Sequence, residues 1–209
     1  MVRQAVAAGV HLDLLALREG DQLDVVADRT VLLSRGLFRD LSQTHSPQGV
    51  LAVGRAGLAP AVKALAAAGG AGWPLLVLDG VQDPGNVGAI ARTAAAAGAP
   101  ALAVLPGTAD PFGAKAIRAS AGHVFNLVVA GVGWADLEGV RCLGASATGT
   151  PLADADLASA GALVLGSEAH GLSRELETVA LPMAAGVESL NVAAAAAILL
   201  YEVRRRIAA

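Results

Sequence analysis

The apolar positions of this chain gather into short runs separated by alanine-rich stretches. Leu75–Leu78, Ala101–Leu105 and Leu127–Ala130 are such runs, and Arg141–Ala145 and Ala162–Leu165 continue the series. A strand buried on both faces carries apolar side chains at successive positions, so these runs predict strands of a parallel sheet. Asn86–Ala97, Gly113–Ala119 and Leu190–Arg206 predict helices, the first stopped by Gly98. Strands alternating with helices predict an α/β domain.

The opening part reads differently. Val2–Ala8 and Ser34–Leu41 predict helices, Leu12–Leu17 and Val50–Val53 predict strands, and Asp21–Val26 is mixed. Pro60–Ala68 forms one alanine-rich helix, and Gly69, Gly70 and Gly72 then break it. The expected organisation is a small α/β domain over residues 1–57, a linker over 58–73 and the larger domain over 74–209. The first helix starts at Met1 with no capping residue before it, which reads as a small domain shortened at its start.

Composition removes several classes. The mean hydropathy of +0.57 over 209 residues raises the question of a membrane. A spanning helix needs about 18 apolar residues with few charges. The longest stretches without Asp, Glu, Lys or Arg are Thr93–Ala109 and Ala119–Ala135. The first contains Gly98, Pro100, Pro106 and Gly107, the second Gly122, His123, Asn126, Gly131 and Gly133. Neither reads as a span, and the apolar excess is mostly alanine, a helix former. Met1–Val10 has one Arg3 and no sustained apolar core, so no signal peptide is expected. The single Cys142 has no internal disulfide partner, and the expected location is cytoplasmic. Net charge is −3, so a nucleic-acid partner requires a local basic patch.

Three loops carry polar residues that a plain core does not need. Carboxyl ends of parallel strands are where α/β sheets bind ligands. The first loop is Asp79–Gly88, with Asn86 as a natural helix cap and Arg92 a turn further on. Asn86 and Arg92 do not share a helix face closely, but a curled loop aims both into one mouth. The second is Gly166–Ser173, in which Ser173 is placed to cap a short helix opened by Arg174 and Glu175. The third is Leu181–Val192, where Ser189 and Asn191 sit at the amino end of the last helix, a place that favours anions. His11, His45, His123 and His170 are scattered, and no metal site is expected. A dinucleotide reading fails, because G-x-G-x-x-G does not follow the first strong strand and no P-loop is present.

Asp83-Pro84-Gly85-Asn86-Val87-Gly88 with Arg92-Thr93-Ala94, Gly166-Ser167-Glu168-Ala169-His170-Gly171-Leu172, and Leu181-Pro182-Met183 with Ser189-Leu190-Asn191-Val192 together resemble the SpoU family of RNA ribose 2′-O-methyltransferases, in the SPOUT superfamily. Each segment alone is weak; all three in this order, each after a strand, are specific. The resemblance covers Pro74–Arg206, with Arg118–Gly122 fitting its middle region, and extends loosely over the first part. It implies a parallel-sheet domain with a C-terminal trefoil knot, an exception to the near-absence of knots. It also implies a preceding ribosomal-protein-like RNA-binding domain and a homodimer whose site is completed across the interface.

The resemblance implies S-adenosylmethionine as cofactor, lined by Leu165, Gly166, Leu181, Met183 and Leu190. It makes Arg92 the residue that activates the ribose hydroxyl, inside a polar ring of Asn86, Glu168, Ser189 and Asn191. A guanidinium is a poor general base. Either an RNA phosphate helps deprotonate it, or it stays charged and stabilises the forming alkoxide. Lys115 and Arg118 are candidates for an RNA backbone contact. The resemblance favours ribosomal over transfer RNA as substrate: family members acting on transfer RNA often carry basic terminal extensions, which are not seen here, and a small preceding domain is more typical of those acting on ribosomal RNA.

Plainer readings stand beside these. Asn86, Ser189 and Asn191 are caps, Arg92 a surface arginine, Glu168 a solvated loop carboxylate and Arg204–Arg206 a solvated helix end. His170 is an exposed loop histidine, with an RNA contact as the alternative. Cys142 is a small buried hydrophobe. The competing function is an RNA-binding protein of the same fold that transfers no methyl group.

Overall fold

A computed structural model describes residues 1–42 and 46–207; His45 lies outside them. The chain divides into two compact units, Met1–Ala56 and Gly57–Ala209.

The first unit runs α1 (Val2–Ala7), β1 (His11–Arg18), β2 (Arg29–Leu33), α2 (Arg35–Leu41) and β3 (Val50–Arg55). Its sheet has the order β2-β1-β3, with β1 parallel to β2 and antiparallel to β3. Leu12, Leu15, Leu17 and Phe38 are buried. Ser34 caps α2, its Oγ accepting from the Leu37 amide at 3.4 Å. Strand β2 is not among the expected elements, because its residues are exposed or only half-buried, and Asp21–Val26 takes no regular structure.

The second unit runs α3 (Ala61–Gly70), β4 (Leu75–Asp79), α4 (Pro84–Ala97), β5 (Ala101–Val104), α5 (Ala114–Ala119), β6 (Val128–Gly131), β7 (Cys142–Ser146), β8 (Thr150–Pro151), β9 (Ala162–Gly166), β10 (Glu177–Ala180) and α6 (Val192–Ile207). The seven strands form one sheet, ordered β6-β5-β4-β9-β7-β10-β8, and every pair is parallel. This is the expected α/β architecture. Strands alternate their side chains between two packed faces, which explains the unbroken apolar runs. Leu76 and Leu78 join Ile90, Ala91 and Ala94 of α4 and Leu199, Leu200 and Val203 of α6. Leu75 and Val77 join Ala64 and Ala68 of α3 on the opposite face.

Residues 58–73, read as a linker, therefore hold a helix packed on the sheet. Gly69 and Gly70 stay inside α3, and the turn comes at Gly72, where φ is +66°. Helix α4 starts at Pro84, earlier than expected, and Asp83 is its cap in place of Asn86. Gly88 lets α5 approach α4, since a Cβ there would lie 2.3 Å from the Ala116 carbonyl oxygen.

The end of α6 corrects another expectation. Arg204 Nη1 donates to the carbonyls of Ala96 and Ala97 at 3.2 and 3.0 Å, closing the end of α4. Arg206 Nη2 donates to the Leu152 carbonyl at 2.6 Å, and its Nη1 donates to the Ala155 carbonyl. Arg205 and Arg206 also hold the Glu202 carboxyl down to about 2, through hydrogen bonds to its oxygens. Two of these three arginines thus tie distant backbone together. Among the described residues, no helix is long and apolar enough to cross a membrane.

Candidate active site

Strand β4 has β5 on one side and β9 on the other, so the order reverses there. In open parallel sheets the crevice beyond such a reversal binds ligands. The loops after β4 and β9 and the start of α6 meet at this edge.

Asn86 lies in the first turn of α4. That turn is set by Asp83, whose carboxylate accepts from the Gly85 amide and from Lys115 Nζ, the latter at 3.1 Å to both oxygens. The Lys115 ammonium, followed by the Gly85 amide, holds the Asp83 carboxyl below its ordinary range. Lys115, expected at an RNA phosphate, is thus engaged on the site loop. Arg118, one turn on, is exposed, and its side chain has no bonded partner among the described residues.

Glu168 sits on a loop closed by two bonds, Ser167 N to Gly171 O and Gly171 N to Ser167 O, both 2.9 Å. The His170 amide donates to Ser167 Oγ at 3.0 Å. Gly166 makes this closure possible, because a Cβ there would stand 2.4 Å from the Gly171 carbonyl carbon. Beyond the loop, the Ser173 amide donates to the buried Asp79 carboxylate at 2.6 Å, and Ser173 Oγ accepts from Trp134 Nε1 at 3.1 Å. The short helix expected after Ser173 does not form; its amide and hydroxyl go to Asp79 and Trp134 instead.

Glu168 Oε1 accepts from Asn86 Nδ2 at 3.0 Å and from Asn191 Nδ2 at 2.8 Å. Asn191 Nδ2 also reaches Asn86 Oδ1 at 3.2 Å. Asn191 Oδ1 accepts from the amides of Ala193 and Ala194, so the same side chain caps α6. One carboxylate oxygen therefore fixes two carboxamides drawn from separate helices. Capping and site geometry coexist at Asn191, while Asn86 is free of the capping role.

Beside this cluster is a cavity of 390 Å³. Leu165, Gly166, Leu181, Met183 and Leu190 all line it, together with Glu168 and Ser189. Small-molecule sites are concave, mostly apolar and about 300–1,000 Å³ in size. A cavity of apolar walls with a carboxylate and a hydroxyl at one side suits a purine nucleoside carrying a charged tail, so the residues fit S-adenosylmethionine. Ala145, Ser146 and Ala147 also line it and were missed. The available signal was their place, small residues at the carboxyl end of an apolar strand.

Arg92 stands apart. It lies six residues beyond Asn86 on α4, about 9 Å along the axis and roughly 120° around it. Its side chain is exposed and bonds to no described residue. Among the described residues, one group could bring metal ligands together: His11, Asp13 and Asp28, with ligand atoms within 4.8 Å of one another. Spacing along the chain could not show it, because strand pairing forms it. Arg55 Nε already donates to both Asp13 oxygens, at 2.9 and 3.2 Å, so this carboxylate has its positive partner.

The parallel sheet, the convergent loops and the largely apolar cavity are those of an α/β protein that takes a nucleoside-bearing cofactor at its strand ends. The SpoU rRNA methylase family matches residues 74–201, most of the chain, and the chain belongs to that family. It is 35% identical over 185 residues to the 23S rRNA (guanosine(2553)-2′-O)-methyltransferase RlmP of Bacillus subtilis (strain 168), covering 83% of this chain and 71% of that protein. It is 40% identical over 146 residues to an uncharacterized tRNA/rRNA methyltransferase of Mycobacterium tuberculosis (strain ATCC 25618 / H37Rv), covering 63% of this chain and 45% of that protein. The chain thus spans less than half the length of this second relative. Two solved structures are similar over 98% of this chain. The SpoU methyltransferase AviRb of Streptomyces viridochromogenes, in complex with the cofactor AdoMet, is 26% identical with a TM-score of 0.83, over 87% of its own length. The AdoMet-bound rRNA methyltransferase of Sinorhizobium meliloti is 28% identical with a TM-score of 0.84, over 84% of its length.

Proposed function

We propose that this protein transfers a methyl group from S-adenosylmethionine to a ribose 2′-hydroxyl of ribosomal RNA. The observation that carries the reading is the Asn86–Glu168–Asn191 cluster, bonded through one carboxylate oxygen at the side of the 390 Å³ cavity. The preference for ribosomal over transfer RNA is supported by RlmP, whose name gives 23S rRNA as its substrate. A cytoplasmic location belongs to the same reading, supported by the ribosomal RNA substrate of that relative.

Leu165, Gly166, Leu181, Met183 and Leu190 would hold the cofactor, which when bound supplies a methyl group already activated on a sulfonium. The chain's own task is then to position the hydroxyl and assist loss of its proton. Glu168 locks both carboxamides, so Asn86 and Asn191 offer the ribose groups of fixed orientation. Ser189 presents its hydroxyl from the cavity wall. A guanidinium is a poor base, so Arg92 acts by stabilising the forming alkoxide, and the hydroxyl proton passes to solvent at this exposed position.

Arg92 reaches the reacting hydroxyl in a homodimer. Support comes from the outer face of α6, where Ala194, Ile198 and Tyr201 form an exposed stripe at helical spacing, with Ile198 46% and Tyr201 52% exposed. Helix α4, which carries Arg92, packs beside α6 through the shared core of Ile90, Ala94, Leu199 and Val203. A second copy laid over this face would bring Arg92 of one protomer toward the cluster of the other. The loops from β9 to α6 would form a trefoil knot, a reading supported by the likeness to the two AdoMet-bound methyltransferases. The unit Met1–Ala56 would bind RNA.

The test is transfer of labelled methyl from S-adenosylmethionine to ribosomal and transfer RNA taken from cells lacking the gene. Label in ribosomal RNA with wild type, and none with Arg92→Ala, is expected. Label in transfer RNA alone would overturn the substrate assignment. Saturable S-adenosylmethionine binding with no transfer to either RNA would overturn the enzymatic reading in favour of an RNA-binding role.

A further inference from the structure

A second hollow, of 290 Å³, shares Ser167 and Gly171 with the methyl-donor cavity and is otherwise lined by different residues. Asp79, Gln82, Trp134, His170 and Ser173 supply its chemistry. We propose that it receives one nucleobase of the RNA, stacked on Trp134 with its polar edge read by Gln82 and His170. This rests on the reading of the protein as acting on RNA.

The walls suit a flat, polar-edged ring. Arg174 sits 5.7 Å from the centre of the Trp134 ring and lines a different hollow with it, not this one. The indole N–H is tied to Ser173 Oγ at 3.1 Å, and Ser173 N is tied to the buried Asp79 at 2.6 Å. The ring is therefore held in place, and a fixed aromatic face is what an unpaired base stacks on. Gln82 and His170 are exposed and together offer both donors and acceptors to a base edge. Asp79 is the acid of the wall, and no lysine or arginine lines it. A phosphate would meet repulsion there, whereas an exocyclic amino group would meet an acceptor. The loop that carries His170 also carries Glu168, and Gln82 lies just before Asp83 and Asn86. A base in this hollow lies next to the groups assigned to its ribose.

The test uses the full chain carrying Trp73→Phe, which leaves Trp134 as the only indole of the two. Each of the four ribonucleoside 5′-monophosphates is titrated while indole emission is read, with saturating S-adenosylhomocysteine present to fill the donor cavity. Saturable quenching by at least one of them is expected. The paired change Gln82→Ala with His170→Ala should raise its dissociation constant about tenfold or more, the loss of base-edge hydrogen bonds, with S-adenosylhomocysteine affinity unchanged. No saturable quenching by any mononucleotide, quenching abolished by S-adenosylhomocysteine, or equal affinity in the paired variant would each overturn the proposal. The two readings fail separately. Wild type that methylates ribosomal RNA, with an unchanged KM in the paired variant, sinks the base hollow and leaves methyl transfer standing. Mononucleotide binding in a protein that transfers no methyl group sinks methyl transfer and leaves the hollow standing.

Discussion

The two units of this chain bury their strands to different degrees. All of β4 and most of β9 in the second unit are buried, because helices cover both faces of the sheet. In the first unit no residue of β2 or β3 is buried, and Leu32 and Val53 are 68% and 56% exposed. The second unit spends its apolar residues on a closed core, and its chemistry sits on loops at the strand ends. The first keeps apolar and charged side chains at its surface, available for contact. Rigidity under the site and open surface elsewhere suit a division between reaction and recognition.

The largest expected effect sharpens that division at the site. Arg92→Ala should lower the single-turnover rate of methyl transfer by about 10²–10³-fold, the range for one group that stabilises a forming oxyanion. The melting temperature and S-adenosylmethionine affinity should stay near wild type, since Arg92 is exposed and does not line the donor cavity. Loss of cofactor affinity would break the separation of roles.

A matched pair of leucine changes tests the contrast in burial. Leu163→Ala removes a side chain 1% exposed in the core shared with α4 and α6, and should cost about 2–5 kcal/mol in denaturant unfolding. Leu32→Ala in the first unit should stay within about 0.5 kcal/mol. Equal costs would mean that the first unit is covered after all.

Gly166→Ala bears on the loop between the two hollows. The added Cβ would meet the Gly171 carbonyl at 2.4 Å, so the Ser167–Gly171 closure must shift. S-adenosylmethionine binding by calorimetry should weaken about tenfold, as expected when a site loses its fixed geometry. The injury here comes from moving backbone, not from filling the cavity.

The smallest effect concerns pH. Glu202 falls from its ordinary 4.5 to about 2 when folded, through Arg205 and then Arg206. A depressed carboxyl contributes stability that is fully present above the unfolded value and fades as pH falls through the folded one. The melting-temperature gap between wild type and Glu202→Gln should therefore be constant near neutrality. It should shrink from about pH 4.5 and close near pH 2. A gap that persists at pH 2 would assign Glu202 a role outside its ion pairs.

Legibility followed burial. Strands β4, β5 and β9 were readable because two covered faces demand apolar residues at successive positions. Strand β2, Arg-Thr-Val-Leu-Leu, gives no such signal with its residues exposed or half-buried. Strand β10 begins with Glu177, which pairs with Arg141, so charge hid it. The linker reading failed at Ala64 and Ala68, since alanine does not announce which sheet it packs against. At the site, sequence resemblance singled out Asn86, Glu168 and Asn191, and the five residues around the donor cavity. It could not show that Lys115 pairs with Asp83 or that Trp134 and Ser173 meet across 39 positions. Those contacts depend on how the loops close in space.

The most direct test of the account is the chemical identity of the product. Ribosomal RNA methylated by this protein with isotope-labelled S-adenosylmethionine would be digested to nucleosides and resolved by mass spectrometry. The account predicts a 2′-O-methyl nucleoside whose label sits on the ribose fragment. Label on the base fragment would contradict it and remove the role given to Arg92.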